Sequence, residues 1–463
     1  MHRNFTPALF SKSQIGNRFC AASEACDSIR IQIESRNMMH QISPIQQTVL
    51  ENGLTIISEQ MNHVRSASVG IWVRSGSRHE HASLNGISHF IEHALFKGTR
   101  NRTSREIAVE SDAIGGHVDA FTSREVAAYY VRVLDEHLAR AFDLIADLVT
   151  NPLFADEELD RERNVVTEEI KMVEDTPDDL AQEVFVSNFW PNHPLGRSIL
   201  GTVDTLATFD HERVAEYFSH VYTPRNLVVT GAGNLQHDSF VDMVAGYLGG
   251  IEDRPAGLSS SPPSAAARRV VLDKDLEQAH LVLGTGCPPM TSKDRYAVHL
   301  LNVMLGGGMS SRLFQTIREE HGLAYAVYSG VNAYTDAGFL SVYAATSPDQ
   351  INDVIRLSVE EFGKLKSEPV SDAELQRAKD QLKVSIMLSL ESTSARMSNL
   401  ARQEIFFGRQ FTLDEMLERI NRVTAEDVQR MATEIFGSDD LAITAVGQLG
   451  SLSLSLDREQ IAV

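Results

Sequence analysis

Cysteine is scarce in this sequence: Cys20, Cys26 and Cys287 are the whole complement in 463 residues, and only the last lies in the body of the chain. A fold stapled by disulfides is therefore excluded, and a reducing compartment suits the composition. Long apolar runs are missing too. None reaches the roughly 18 residues that a membrane-spanning helix needs, so no membrane partner is expected. Positive charge is in deficit, with 42 Lys and Arg against 63 Asp and Glu and a net charge of −21. That balance excludes nucleic acid as the main partner and favours cationic ligands, basic peptides among them, if the acids line a cavity. What remains is globular, at 43% hydrophobic and 23% charged residues. The chain is too long for one ordinary core, so two or more domains are expected.

Residues 1–37 carry no continuous apolar stretch of the kind a secretory signal needs. Arg3, Lys12, Arg18 and Arg30 among serines give them some character of a mitochondrial transit peptide, which Glu24, Asp27 and Glu34 oppose. Met38-Met39 stand just before a recognisable domain start. A disordered leader at 1–46 and a cytoplasmic location are expected, with the mitochondrial matrix as the alternative. After the leader come an α+β domain at 47–249, a Ser/Pro-rich linker at 250–268, a second α+β domain at 269–450 and a tail at 451–463.

The chemistry is concentrated in Gly86-Ile87-Ser88-His89-Phe90-Ile91-Glu92-His93-Ala94-Leu95-Phe96. Ile87, Phe90, Ile91, Ala94 and Leu95 recur at spacings of three and four, which predicts a largely buried helix. His89 and His93 then share a face and reach one cation, and zinc accepts histidine nitrogens at about 2.0–2.1 Å. Glu92 sits at the edge of that face, placed to take a proton from a metal-bound water. Two core histidines flanking a chance glutamate is the plainer alternative, and the rest of the chain must decide against it.

A third ligand is found on a second amphipathic helix, predicted at 156–174, with Leu159, Val166, Ile170 and Val173 as its apolar stripe. At about 100° per residue, Glu169 falls beside that stripe with Glu162 one heptad earlier, whereas Glu168 projects to the opposite side. Glu169 is the ligand candidate, Glu162 a supporting group behind a ligand, and Glu168 a solvated acid. Residues 117–122 read as a strand. If it is a sheet edge near the metal, Asp119, Ala120 and Phe121 offer a peptide main-chain pairing with little sequence preference.

Beyond the linker the sequence echoes itself. Asp156-Glu157-Glu158-Leu159-Asp160-Arg161 is matched by Asp372-Ala373-Glu374-Leu375-Gln376-Arg377, an offset of 216 (372 less 156). Leu227-Val228-Val229-Thr230-Gly231 is matched by Leu441-Ala442-Ile443-Thr444-Ala445, an offset of 214 (441 less 227). Registers so close imply duplicated halves, each an α+β domain. The second half lacks the histidine motif. It has instead Gly306-Gly307-Gly308, which without a Gly-Lys-Ser/Thr ending is a loop and no phosphate cradle, followed by Arg318 and Tyr325.

Gly86 to His93, Phe96-Lys97-Gly98-Thr99, Asp119 to Ser123 and Glu162 to Ile170 together resemble the pitrilysin/insulinase family of inverted zinc peptidases. The short bacterial branch related to the β subunit of mitochondrial processing peptidase is the closest resemblance, and it runs from about residue 47 to 450. The family's ligand glutamate lies some 75 residues after the second histidine, as Glu169 does here (169 less 93, less one). The resemblance implies one zinc per chain, halves forming a clamshell around a chamber, peptide or unfolded polypeptide substrates, and a homodimer. It also implies that Arg318 and Tyr325, seven apart, bind substrate and the developing oxyanion. Where relatives carry asparagine on the edge strand this chain has Asp119, a departure that would suit cationic substrates. The expected activity is a zinc endopeptidase. The alternatives are a silent scaffold, against which His89, Glu92, His93 and Glu169 all stand, and a processing-peptidase subunit that depends on a partner chain.

Overall fold

The computed structural model describes residues 45–254, 261–437, 441–450 and 454, all within one body, Ser43–Val463. The leader, the middle of the linker and nearly all of the tail lie outside the described residues.

The first sheet holds β1 (Gln46–Val49), β2 (Thr55–Gln60), β3 (Ser66–Val73), β4 (His117–Thr122), β5 (Ala127–Leu134) and β6 (Leu227–Gly233). Asn52-Gly53 closes the first hairpin, with Asn52 Oδ1 accepting from the Leu54 amide and its Nδ2 donating to Leu248 O. The strand order is β1-β2-β6-β3-β5-β4, with β2 and β6 parallel and every other pair antiparallel. A second sheet holds β7 (Arg269–Asp273), β8 (Ala279–Gly286), β9 (Ala324–Ala333), β10 (Gly338–Thr346) and β11 (Ala442–Gly447), in the order β7-β11-β8-β10-β9. Stripped of β1, the two orders are the same, down to the one parallel pair. The duplicated α+β architecture expected from the internal echo is present, and the helices Asp156–Asp175 and Asp372–Ser389 keep its offset.

Each sheet is covered on one face by helices of its own half. The other faces are covered by exchange. The helix Pro177–Phe189 of the first half puts Phe185 and Phe189 against Phe339, Tyr343 and Val446 of the second sheet, where a Cβ on Gly284 would stand 2.3 Å from the Phe185 ring. Reciprocally, the helix Thr393–Phe407 sets Met397, Leu400 and Ala401 on Trp72, Ile57 and Val228 of the first. With both faces dry, β6 and β10 are buried along their whole length, so they read as apolar runs with no alternation.

Polar bonds reinforce the exchange. Ser68 Oγ lies 2.8 Å from Thr393 Oγ1, Thr230 donates to Met397 O, and Arg396 pairs with Glu59. Arg78, buried, bridges Glu125 at 2.7 Å and Asp336 of the second half at 2.5 Å.

Candidate metal centre

The histidine helix spans Ile87–Leu95, and Ile87, Phe90, Ile91, Ala94 and Leu95 all point into the first core. Its start is fixed from outside. Gly86 takes φ 94°, and a Cβ there would lie 2.7 Å from Leu200 O and from the Gly201 Cα. Only glycine fits, so the helix is wedged against the 200–201 backbone. No side chain of its own caps it. Glu80, arriving from a loop and 3% exposed, supplies both oxygens: Oε2 accepts from the Gly86 amide and Oε1 from the Ser88 amide, each at 2.8 Å. Burial pushes this carboxyl up to about 7 despite those donors.

The helix Asp156–Asp175 buries Leu159 and Val166, which turns Glu162 and Glu169 toward the histidines. Glu169 Oε2 stands 3.5 Å from His89 Nε2 and 3.7 Å from His93 Nε2. A tetrahedral ion with bonds of about 2.0–2.1 Å sets its donors about 3.3–3.4 Å apart, close to the distance of Glu169 from each histidine, and the three ligand atoms all lie within 4.8 Å of one another. Glu169 Oε2 is moreover buried without a hydrogen-bond partner, a costly state for a carboxylate that a cation would relieve. Among the described residues these three are the one group of His, Cys, Asp or Glu side chains whose ligand atoms converge. Glu168 does project away, exposed and paired with Lys171.

The two histidines differ. Burial, and then the neighbouring His93, push His89 down to about 4, leaving its ring neutral at pH 7. The hydrogen bond between His93 Nδ1 and Glu162 Oε2, 3.1 Å, raises His93. Glu162 is buried. Burial alone would raise its carboxyl, yet bonds from His93 and from Lys97, whose Nζ is 2.8 Å from Oε1, hold it below the ordinary glutamate value.

A cavity of about 340 Å³ opens over this group, lined by His89, Glu92, Glu169, Phe121, Thr122 and Leu200 among others. Glu92 Oε2 is buried there without a partner, and burial raises its carboxyl above the ordinary range. β4 forms the rim and the outer edge of its sheet; no strand pairs beyond it among the described residues. Phe121 lines the cavity and leans edge-on against Trp72, with ring centres 5.7 Å apart. Asp119 is already engaged, accepting from Tyr130 Oη and from the Ala120 amide at 2.9 Å each.

Arg318 and Tyr325 make their contacts within the second half. Arg318 rides on a π-helical turn, Phe314–Glu320, its guanidinium 4.8 Å from the Phe314 ring centre and 4.7 Å from that of Tyr325. Tyr325 is 79% exposed, so it is no core aromatic. Neither residue lines the cavity. Among the described residues, the contacts of this pair do not reach His89, Glu92, His93 or Glu169. Sequence reasoning missed Glu80, which no periodicity marks, and the part played by Lys97, which follows His93 by four and could have been found by that spacing.

Fold and site together define a class: a duplicated α+β protein whose first half presents an inverted His-x-x-Glu-His helix and a carboxylate from a second helix to one cavity. The chain belongs to the insulinase family, peptidase family M16. Residues 55–203 match the model described as insulinase (peptidase family M16), and residues 208–382 match the peptidase M16 inactive domain. The chain is 41% identical over 408 residues to the uncharacterized zinc protease YmxG of Bacillus subtilis, covering 88% of this chain and 99% of that one. It is 39% identical over 432 residues to an uncharacterized zinc protease of Streptomyces coelicolor, covering 91% and 94%. In fold it is similar to a protease from Helicobacter pylori, with a TM-score of 0.82 at 22% identity, covering 87% of this chain and 99% of that one.

Proposed function

We propose that this chain is a zinc-dependent endopeptidase acting on peptides and unfolded polypeptide segments. The observation that carries the reading is the convergence of His89, His93 and an orphaned Glu169 oxygen, their ligand atoms all within 4.8 Å of one another. His89, His93 and Glu169 would hold the zinc, which would supply a Lewis acid to a water and to the scissile carbonyl. Glu92, raised by burial, faces the same cavity, takes the proton of the attacking water and returns it to the leaving amine. An extended substrate adds to the free edge of β4, whose main-chain groups hold any sequence, while Phe121 offers an apolar contact beside the cut. The acidic balance of the chain and the Asp119 carboxylate favour basic peptides.

Neither Arg318 nor the exposed Tyr325 lines the cavity of its own chain, which favours a second copy of the chain as a working partner. Met309, Tyr325, Tyr328, Val384, Met387 and Leu388 are between 47% and 79% exposed on the second half. Gln381 ties the helix of Val384, Met387 and Leu388 to the glycine loop, and Gln315 ties Met309 to the π-helical turn. In the homodimer we propose, this surface brings Arg318 and Tyr325 to the partner's zinc cavity, where they grip substrate and the oxyanion.

One experiment tests both parts. Glu92→Gln is expected to retain one zinc per chain and lose cleavage of a long unstructured basic peptide. Mixed with an equally inactive Arg318→Ala chain, it recovers about a quarter of the parent rate, since half the dimers are mixed and each holds one complete site. No recovery would sink the shared site, and an active Glu92→Gln would sink the mechanism.

A further inference from the structure

Lys97 has no part in the chemistry described so far. Its side chain, 34% exposed, reaches back over the end of the histidine helix and places Nζ 2.8 Å from Glu162 Oε1. The other oxygen of that carboxylate faces His93 Nδ1 at 3.1 Å. Glu162 is 4% exposed, so solvent contributes little to its orientation. One buried carboxylate is held by two groups, one on each oxygen.

We propose that Lys97 is a positioning residue for the metal centre: by holding Oε1 it aims Oε2 at His93 Nδ1 and so fixes the ring whose Nε2 must face the ion. The inference rests on the zinc reading given above. A glutamate's terminal torsion is broad and soft, so a carboxylate bonded through one oxygen alone can swing out of line with the imidazole. With Lys97 in place both oxygens have assigned partners, and the Nδ1–H tautomer that leaves Nε2 free is the one that makes the bond.

The lysine is itself well founded. Its amide bonds back to Ala94 O, and the turn after it is pinned by Thr99, Asn101 and Arg102, all bonded to the buried Asp147. It therefore leaves a fixed stretch of backbone in the turn just past the end of the histidine helix, Ile87–Leu95.

The sign of the effect separates positioning from simple charge. A lysine acting only through space would repel a dication, and its removal would tighten zinc. A lysine that orients Glu162 does the reverse.

The test measures zinc affinity of the whole, metal-stripped chain by competition with a chromophoric chelator at one pH. The parent, Lys97→Met, Lys97→Arg, Glu162→Gln and the Lys97→Met/Glu162→Gln double variant are compared, with melting curves confirming that each is folded. Lys97→Met is expected to weaken zinc about tenfold, the scale of effects transmitted through a ligand's hydrogen-bond partner. Lys97→Arg restores affinity, because it keeps a charged donor within reach of Oε1. The double variant binds no worse than Glu162→Gln alone, because the lysine acts through that carboxylate. Unchanged affinity in Lys97→Met, tighter binding, or a loss that adds in full to that of Glu162→Gln each overturns the proposal. A parent chain that holds no zinc would overturn the zinc reading instead.

Discussion

Glu80 shows how much one side chain outside the motif contributes. Its two oxygens satisfy amides at the start of the histidine helix that have no other acceptor. Glu80→Ala leaves both buried and unpaired, and at about 1–3 kcal/mol for each such group the loss should exceed 2 kcal/mol, read as a fall in the denaturation midpoint. The charge has its own pH signature. A carboxyl raised to about 7 in the fold, from 4.5, favours the folded state while protonated. That contribution is present below about pH 4.5 and is lost as pH rises toward 7. Glu80→Gln, which keeps an acceptor for one of the two amides and removes the titrating group, should flatten stability against pH across that window; an unchanged slope would show that Glu80 titrates normally.

At the scale of elements, the histidine helix is held at both ends by neighbours. At its start, Gly86→Ala drives a Cβ into Leu200 O, and the chain should lose stability and zinc affinity together. Zinc binding equal to the parent's would show that the wedge does not set the site. Beyond its end, Asp147 anchors the 99–102 turn. Burial alone would raise its carboxyl, yet bonds from Thr99, Arg102, Asn101 and Asn151 hold it below 3.8. A depressed carboxylate contributes stability above its unfolded value that disappears as pH falls through the folded one. Asp147→Asn should therefore lower the melting point at pH 7 and soften its decline below pH 4, as thermal scans across that range would show.

These elements also mark what a sequence can reveal. Helical period alone placed His89 and His93 on one face and separated Glu169 from Glu168, because core packing and ligand geometry follow the same 100° step. The next helix, Ser104–Ile114, is bounded by the Thr103–Glu106 capping box and by Gly115, local signals of the kind a sequence carries without tertiary knowledge. Glu80 was invisible because it acts from a loop across six to eight residues with no repeating pattern. Arg318 and Tyr325 were visible as a spaced pair, yet spacing says nothing about where a distant surface points.

At the scale of the molecule, the echo between halves disclosed two like domains and concealed how they join. Periodicity shows that the helices Pro177–Phe189 and Thr393–Phe407 have apolar faces; it cannot say that each lies on the other half's sheet. Arg78 belongs to this scale, since its one guanidinium answers Glu125 in the first half and Asp336 in the second. Arg78→Met leaves both acids without their cation and, with Glu125 buried, should cost about 3–5 kcal/mol, the scale for breaking a buried pair from one side. A midpoint within experimental scatter of the parent's would show that the bridge is replaceable.

The exchange of helices also sets a timetable for synthesis. The first sheet is complete once β6 has been made, but the helix that covers its second face begins roughly 160 residues later (393 less 233). At 5–20 residues per second a ribosome needs on the order of ten seconds to deliver it. Throughout that interval the nascent chain carries a finished sheet with Ile57, Trp72 and Val228 bare on one side. The half that bears the histidine helix is therefore made first and sealed last, and a chain cut short before Thr393 should emerge as a client for chaperones.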